Sequence, residues 1–181
     1  GQSTEISNIP SVYQKNQGGL LDIELHPNFD QNNTLFFSFS KGNKEDGANT
    51  AIASAKLIDN SLQEVEILYV GKEMTGASLH FGSRLQFDDE GYLYFTIGDR
   101  GNRNKNPQDI TRDAGKVYRI NDDGSIPESN PFFNNQGARK AVFSYGHRNP
   151  QGLIVSDNMI ISTEHGPYGG DEINNIKFGK N

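Results

Sequence analysis

The polar side chains able to do chemistry fall into five short clusters along a chain of 181 residues. They are Gln17-Gly18-Gly19, His80, Gly98-Asp99-Arg100-Gly101, Gly146-His147-Arg148-Asn149-Pro150-Gln151-Gly152 and Glu164-His165-Gly166-Pro167. His80 and Asp99 make the pair with the clearest chemistry. An imidazole can accept a proton near neutral pH, and a carboxylate on its other nitrogen fixes the tautomer and raises its basicity. A surface histidine near a turn aspartate would look similar and do nothing. Arg148-Asn149 offers a planar fork beside an amide, a set suited to a carboxylate or a quinone oxygen. A loop arginine resting on a neighbouring carboxylate is the plainer alternative. "EHGPYGGDE" bends repeatedly at Gly166, Pro167, Gly169 and Gly170. Such a loop can aim carbonyl oxygens at a hard cation, with Asp171 or Glu172 adding charge, although its spacing is not that of an EF-hand.

These clusters lie at the ends of segments that alternate or run apolar between turn residues, as β-strands do. "LLDIELHPNF" leads through Asp30-Gln31-Asn32-Asn33 into "TLFFSFS", and "RLQF" through Asp88-Asp89-Glu90-Gly91 into "YLYFTIGD". "GLIV" leads through Ser156-Asp157-Asn158 into "MIISTEHG". All three read as β-hairpins. In the middle one His80 precedes the first strand and Asp99 follows the second, so antiparallel pairing brings them together. Leu20, Leu85 and Leu153 recur at intervals of about 65 and 68 residues, a loose internal repeat. "TAIASAKL", "VEILYVG", "KVYRIN" and "AVFSYG" add strands between them, giving about four per repeat, the content of a propeller blade. A β-sandwich also has many short strands, but the recurring hairpin favours the propeller. Propellers close with roughly four to eight blades. This chain is therefore expected to form about three, an open arc with apolar faces at its ends. The best helix candidate, residues 109–114, is only a turn or two long. "DRGNRNKNPQD" and "NDDGSIPESN" read as solvated turns. The sequon Asn32-Asn33-Thr34 is a frequent chance match and is discounted.

Composition narrows the classes. Hydrophobic residues make up 33% of the chain, mean hydropathy is −0.70, and 20 glycines with 7 prolines suit a turn-rich β protein. Net charge is −6 with lysine and arginine scattered, which argues against a nucleic-acid partner. No apolar run approaches the roughly 18 residues of a membrane span, and residues 1–17 hold no signal-peptide core. The absence of cysteine excludes disulfides, thiolate catalysis and Cys-type zinc sites. P-loop, GxSxG, HExxH and dinucleotide fingerprints are missing as well.

Taken in order, "QGGLLDIELHPNF", "HFGSRLQFDDEGYLYFTIGDRG", "GKVYRINDDGSIPESNPF", "YGHRNPQGL" and "EHGPYGGDEIN" span nearly the whole chain. In that order they resemble the soluble quinoprotein sugar dehydrogenases, the glucose/sorbosone and aldose sugar dehydrogenase family. The "EHGPYGGDE" form is closer to the aldose sugar branch. The resemblance implies an all-β, six-bladed β-propeller of four-stranded blades. It implies oxidation of the C1 hydroxyl of an aldose to a lactone, with hydride passed to pyrroloquinoline quinone (PQQ) and on to an external electron acceptor. His80 is implied as general base, Asp99 as its orienting partner, and Arg148 as the group that stabilises charge on the reduced quinone oxygen. Gln17, Arg148 and Asn149 match residues that line the quinone. Gly166 and Pro167 match positions whose main-chain carbonyls hold a Ca2+, and Glu172 matches a carboxylate on a second, structural Ca2+. The family pattern continues past Asn181. Residues 1–181 are accordingly expected to be one partial propeller domain, without the C-terminal blades whose basic residues grip the quinone carboxylates. A periplasmic or secreted location is implied, with the export signal outside this chain, and the open faces allow a homo-oligomer. Two other functions suit such a scaffold: a non-catalytic propeller that binds carbohydrate or a protein partner, and a lactonase-like calcium hydrolase.

Overall fold

The computed structural model describes residues 3–156 and 159–181. Its strands are β1 (Leu20–Leu25), β2 (Thr34–Asn43), β3 (Gly47–Ile58), β4 (Ser61–Val70), β5 (Leu85–Phe87), β6 (Leu93–Ile97), β7 (Lys116–Ile120), β8 (Val142–Tyr145), β9 (Pro150–Ser156), β10 (Met159–Glu164) and β11 (Glu172–Ile176). They form three antiparallel meanders: β1 to β4, β5 to β8, and β9 to β11. Each of the three sequence hairpins opens one sheet. No helix among the described residues is long and apolar enough to cross a membrane.

The long apolar runs are explained by packing on both faces. In β2, Leu35, Phe37 and Phe39 turn to one side against Ala51, Ala53 and Leu62. Phe36 turns to the other side and meets Leu85, Leu93, Phe95 and Ile97 of the second sheet. The second sheet repeats the arrangement. Leu93, Phe95 and Ile97 of β6 face the first sheet, while Tyr94 faces Leu153 and Ile176 of the third. A strand covered on both faces reads as a continuous apolar run rather than a strict alternation. Aromatic rings fill the first seam: Phe95 stacks on Tyr118 with centroids 4.7 Å apart, and Tyr69 lies 5.1 Å from Phe95.

The opening strands of the three sheets lie side by side. Asp22 of β1 accepts the Leu85 N–H of β5 at 2.8 Å and the Arg84 guanidinium at 2.9 Å. Arg84 Nε donates to the Gln151 carbonyl of β9 at 3.0 Å. One arginine thus ties three successive sheets at the same level, which aligns the loops at that end.

Four local features depart from expectation or extend it. Residues 109–114 are turns and bends rather than a helix, because the Thr111 N–H and hydroxyl bond back to Asp109 Oδ1 at 3.0 and 2.6 Å. That local closure competes with helical hydrogen bonding. The turn at Asp30–Asn33 tightens instead into a single helical turn, α1 (Phe29–Asn32), ended by Asn33 at φ 53°. "DRGNRNKNPQD" and "NDDGSIPESN" are not solvated turns throughout. Arg100 and Asn106 are 2% exposed and Asn130 is 5% exposed, since their side chains donate to backbone carbonyls within the fold. The turn residues Asp157-Asn158 lie outside the described residues. A strand without an expectation, β11, follows the "EHGPYGGDE" loop.

Candidate active site

The first strand of each sheet begins, and the second ends, at one end of the arc. Gln17 precedes β1, His80 precedes β5, Asp99 follows β6, Arg148-Asn149 precede β9, and Gly166 follows β10. Hairpin topology alone therefore brings the five clusters to one rim, and a continuous series of hydrogen bonds joins them. The Gln17 side-chain Oε1 accepts the His80 N–H at 2.8 Å. His80 Nδ1 lies 2.7 Å from Asp99 Oδ1. The Asp99 N–H donates to the Arg148 carbonyl at 2.7 Å, and Arg148 Nη1 donates to the His165 carbonyl at 2.6 Å. The Gly166 N–H then donates to Asp171 Oδ1 at 2.9 Å.

His80 occupies the left-handed region at φ 56°. Its carbonyl packs against Gly98, where any Cβ would collide with it. The Asp99 side chain is 1% exposed and the His80 side chain 15% exposed, so a buried acceptor holds a ring that still reaches the surface. A carboxylate on Nδ1 fixes the proton there and leaves Nε2 as the basic nitrogen. Nε2 has no hydrogen-bond partner among the described residues.

Asn149 is 3% exposed and its Oδ1 accepts the Gly82 N–H at 3.2 Å. Both expected amides, Gln17 and Asn149, thus spend their oxygens on the backbone around His80 and keep their NH2 ends for other contacts. Two buried polar atoms of the site, Asp99 Oδ2 and Arg148 Nε, have no partner among the described residues. Gly166 lies where a Cβ would run into the carbonyl oxygens of Gly169 and Gly170, so the loop folds its own carbonyls inward. The Gly166 N–H and His165 both bond Asp171 and hold its carboxyl below the ordinary aspartate range. Pro167 is exposed. Glu172 stands at the start of β11, apart from this series, and its Oε2 accepts from Asn174 at 3.1 Å.

Three groups at this rim were not singled out from sequence. Glu164 is 8% exposed, accepts the Arg148 N–H at 2.7 Å and Asn174 at 2.6 Å, and lies 3.4 Å from His147 Nδ1. Burial pushes its carboxyl up, but His147 and the Arg148 and Asn149 N–H groups outweigh that and bring it below the usual range. His147, 5% exposed, and Arg100, 2% exposed, are the other two. All three stand inside the clusters quoted above, but nothing in residue type or spacing announces that a charge is buried.

Among the described residues no three His, Asp or Glu side chains converge as a metal site. A cation at this rim would therefore draw chiefly on main-chain oxygens, the donors Ca2+ accepts. A cleft of about 710 Å3 is at the opposite ends of the strands between His26, Asp88 and Asp122, away from the His80 series.

Face-to-face sheets with a polar loop cluster at the ends of their inner strands define a β-propeller with its site at the loop rim. The glucose/sorbosone dehydrogenase family model matches residues 1–181. The chain is 40% identical over 185 residues to the aldose sugar dehydrogenase YliI of Escherichia coli (strain K12), a match covering 100% of this chain and 50% of that protein. It is 33% identical over 192 residues to quinoprotein glucose dehydrogenase B of Acinetobacter calcoaceticus, covering 91% of this chain and 39% of that one. The PQQ-bound aldose sugar dehydrogenase of Streptomyces coelicolor superposes with a TM-score of 0.86 at 29% identity, covering 100% of this chain and 52% of that structure. The chain belongs to the glucose/sorbosone dehydrogenase family and spans about half the length, or less, of these relatives.

Proposed function

We propose that this chain supplies one wall of the active site of a PQQ-dependent dehydrogenase that oxidises the C1 hydroxyl of an aldose to a lactone. The observation that carries the proposal is the His80–Asp99 contact of 2.7 Å, which leaves Nε2 as an accessible base on the loop rim. When bound, PQQ supplies the two-electron hydride acceptor and Ca2+ the Lewis acid that polarises it. His80 Nε2 takes the C1 hydroxyl proton as the C1–H bond gives up its hydride and the C1–O bond gains double-bond character. Asp99 stabilises the imidazolium that forms. The buried, unpartnered Arg148 Nε and the NH2 ends of Gln17 and Asn149 suit the oxygens of an anionic, carbonyl-rich cofactor. The carbonyls of Gly166 and Pro167 suit Ca2+, and Glu172 suits a separate structural Ca2+. A periplasmic or secreted setting and an external electron acceptor accompany this function.

The test is His80→Gln in the full-length protein. General-base loss should lower sugar turnover by roughly 10²- to 10⁴-fold, while PQQ titration gives the parental affinity. Turnover within a few-fold of the parent would make His80 structural and overturn the mechanism.

A further inference from the structure

We infer that Arg100 is a positioning residue for His80: a buried guanidinium that fixes the strained segment on which the base is mounted. This rests on the role proposed above for His80. Non-glycine residues held at positive φ are strained and persist only when their surroundings over-determine them. For His80, Gln17 and Asn149 hold the backbone on one side, and a single further side chain grips the residues flanking it. Arg100 Nη2 donates to the Ala77 carbonyl at 2.5 Å, Nη1 donates to the Leu79 carbonyl, and the guanidinium carbon lies 3.5 Å above the centre of the Phe81 ring. Residues 77, 79 and 81 are thus gripped on both sides of the histidine. A further bond from Nη2 to the Ala48 carbonyl of β3, at 3.2 Å, anchors the segment to the first sheet.

Asp99 and Arg100 are consecutive, and their turn divides two tasks. Arg100 has φ 54°, and the Gly101 N–H donates to Asp99 Oδ1 at 2.7 Å. The turn sends the carboxylate to the imidazole ring and the guanidinium to the backbone beneath that ring. A side chain only 2% exposed, with Nε unpartnered among the described residues, is an expensive way to hold a loop. Burial brings the guanidinium down to about 10, opposed by the neighbouring Asp99, so it remains a cation at neutral pH. A guanidinium combines a stacking plane with a fork of five donors, enough to span two carbonyls at once. Lysine keeps the charge but not the fork or the stacked plane. Misplacing a reacting group by about 1 Å can cost roughly 10²-fold in rate.

The experiment uses Arg100→Lys and Arg100→Gln, each alone and combined with His80→Gln. Three quantities are read: steady-state constants of the PQQ-loaded full-length protein, thermal midpoints, and the His80 Nδ1 proton resonance of the cofactor-free protein. We expect Arg100→Lys to fold, to lower kcat by about 10- to 100-fold, and to leave the sugar KM within about threefold. The Nδ1 proton signal, shifted by its short bond to Asp99, should broaden or vanish. In the His80→Gln background the same change should have no further effect on kcat, because a positioning residue has nothing left to position. Should Arg100→Gln fail to fold, Arg100→Lys carries the test. A parental kcat and an intact Nδ1 signal in Arg100→Lys would overturn the inference, as would a loss of kcat that persists undiminished without His80. Full turnover in His80→Gln alone would instead remove the base assignment, and the Nδ1 signal would still decide whether Arg100 holds the ring.

Discussion

Residues 99–115 and residues 165–171 occupy equivalent places, each linking the second and third strands of a sheet, yet they manage their backbone carbonyls in opposite ways. The first loop is closed by an ammonium group at the start of the strand that follows it. Lys116, wholly buried, donates from Nζ to the carbonyls of Asn106, Pro107 and Ala114 at 2.7, 3.1 and 2.7 Å. The Asn106 side chain caps the Asp99 carbonyl at 2.9 Å. The second loop contains no lysine or arginine, its residues 167–171 are exposed, and its Gly169 and Gly170 carbonyls fold toward Gly166. A bent backbone turns oxygens toward one another, and something positive must lie among them. In the first loop the sequence supplies an ammonium group. In the second, Arg148 reaches only the His165 carbonyl, and no lysine or arginine bonds the Gly169 and Gly170 carbonyls among the described residues. A carbonyl-rich loop without an internal cation is the better place to look for a metal.

The largest effect expected from this contrast is at Lys116. In Lys116→Met three buried carbonyls lose their donor, and each such loss costs about 1–3 kcal/mol. Urea unfolding should show at least about 3 kcal/mol of lost stability, and amide exchange should show opening confined to residues 99–115. A loss below about 1 kcal/mol would mean that solvent satisfies those carbonyls and that the contrast is empty. A smaller effect follows from pH. Burial draws the Lys116 ammonium down from 10.5 to about 8, although Asp109 and Asp113 oppose the shift. Between those values the unfolded chain binds the proton and the folded chain does not. Stability should therefore rise with pH from about 8 towards 10, by about 1–3 kcal/mol. Above pH 10 the buried Tyr69 and Tyr118, whose hydroxyls are raised well beyond the usual range, reverse the trend. Urea midpoints across that range should climb in the parent and stay level in Lys116→Met. A parental curve that is flat would show that its three carbonyl bonds hold the ammonium charged in spite of burial.

The same contrast marks where the sequence was legible. Most strands announced themselves because burial on one or both faces leaves a trace, as in the unbroken "LYFTI", whereas the apolar side of "LLDIEL" (Leu20, Ile23 and Leu25) is more than half exposed in this chain. β11 escaped because "EINNI" has two apolar residues, and Ile173 is 78% exposed. The His80–Asp99 pair was legible because a hairpin's ends must meet. The tasks of Arg100, Lys116 and Glu164 were not, because a buried charge is defined by carbonyls and N–H groups that residue names do not encode. For the same reason the amides of Gln17 and Asn149 were identified by type. That their oxygens hold the backbone around His80 emerges only from the folded geometry.

The smallest effect on folding, and the sharpest test of the second loop, is expected from Gly166→Val. A valine side chain has no room against the Gly169 and Gly170 carbonyls, so the loop must open to admit it. The loop is exposed and makes little of the core, so the unfolding midpoint should move by no more than surface substitutions usually produce, within about 0.5 kcal/mol. If those oxygens help to gather Ca2+, calorimetric titration with calcium chloride should show affinity weakened by tenfold or more, equivalent to about 1.4 kcal/mol. Lys116→Met should leave that affinity unchanged, because its damage lies in the other loop. A reversed outcome, with Gly166→Val binding normally and Lys116→Met not, would move the metal to the loop that already carries its own cation. Equal loss in both would mean that the two loops share one site, and their division of labour would then be wrong.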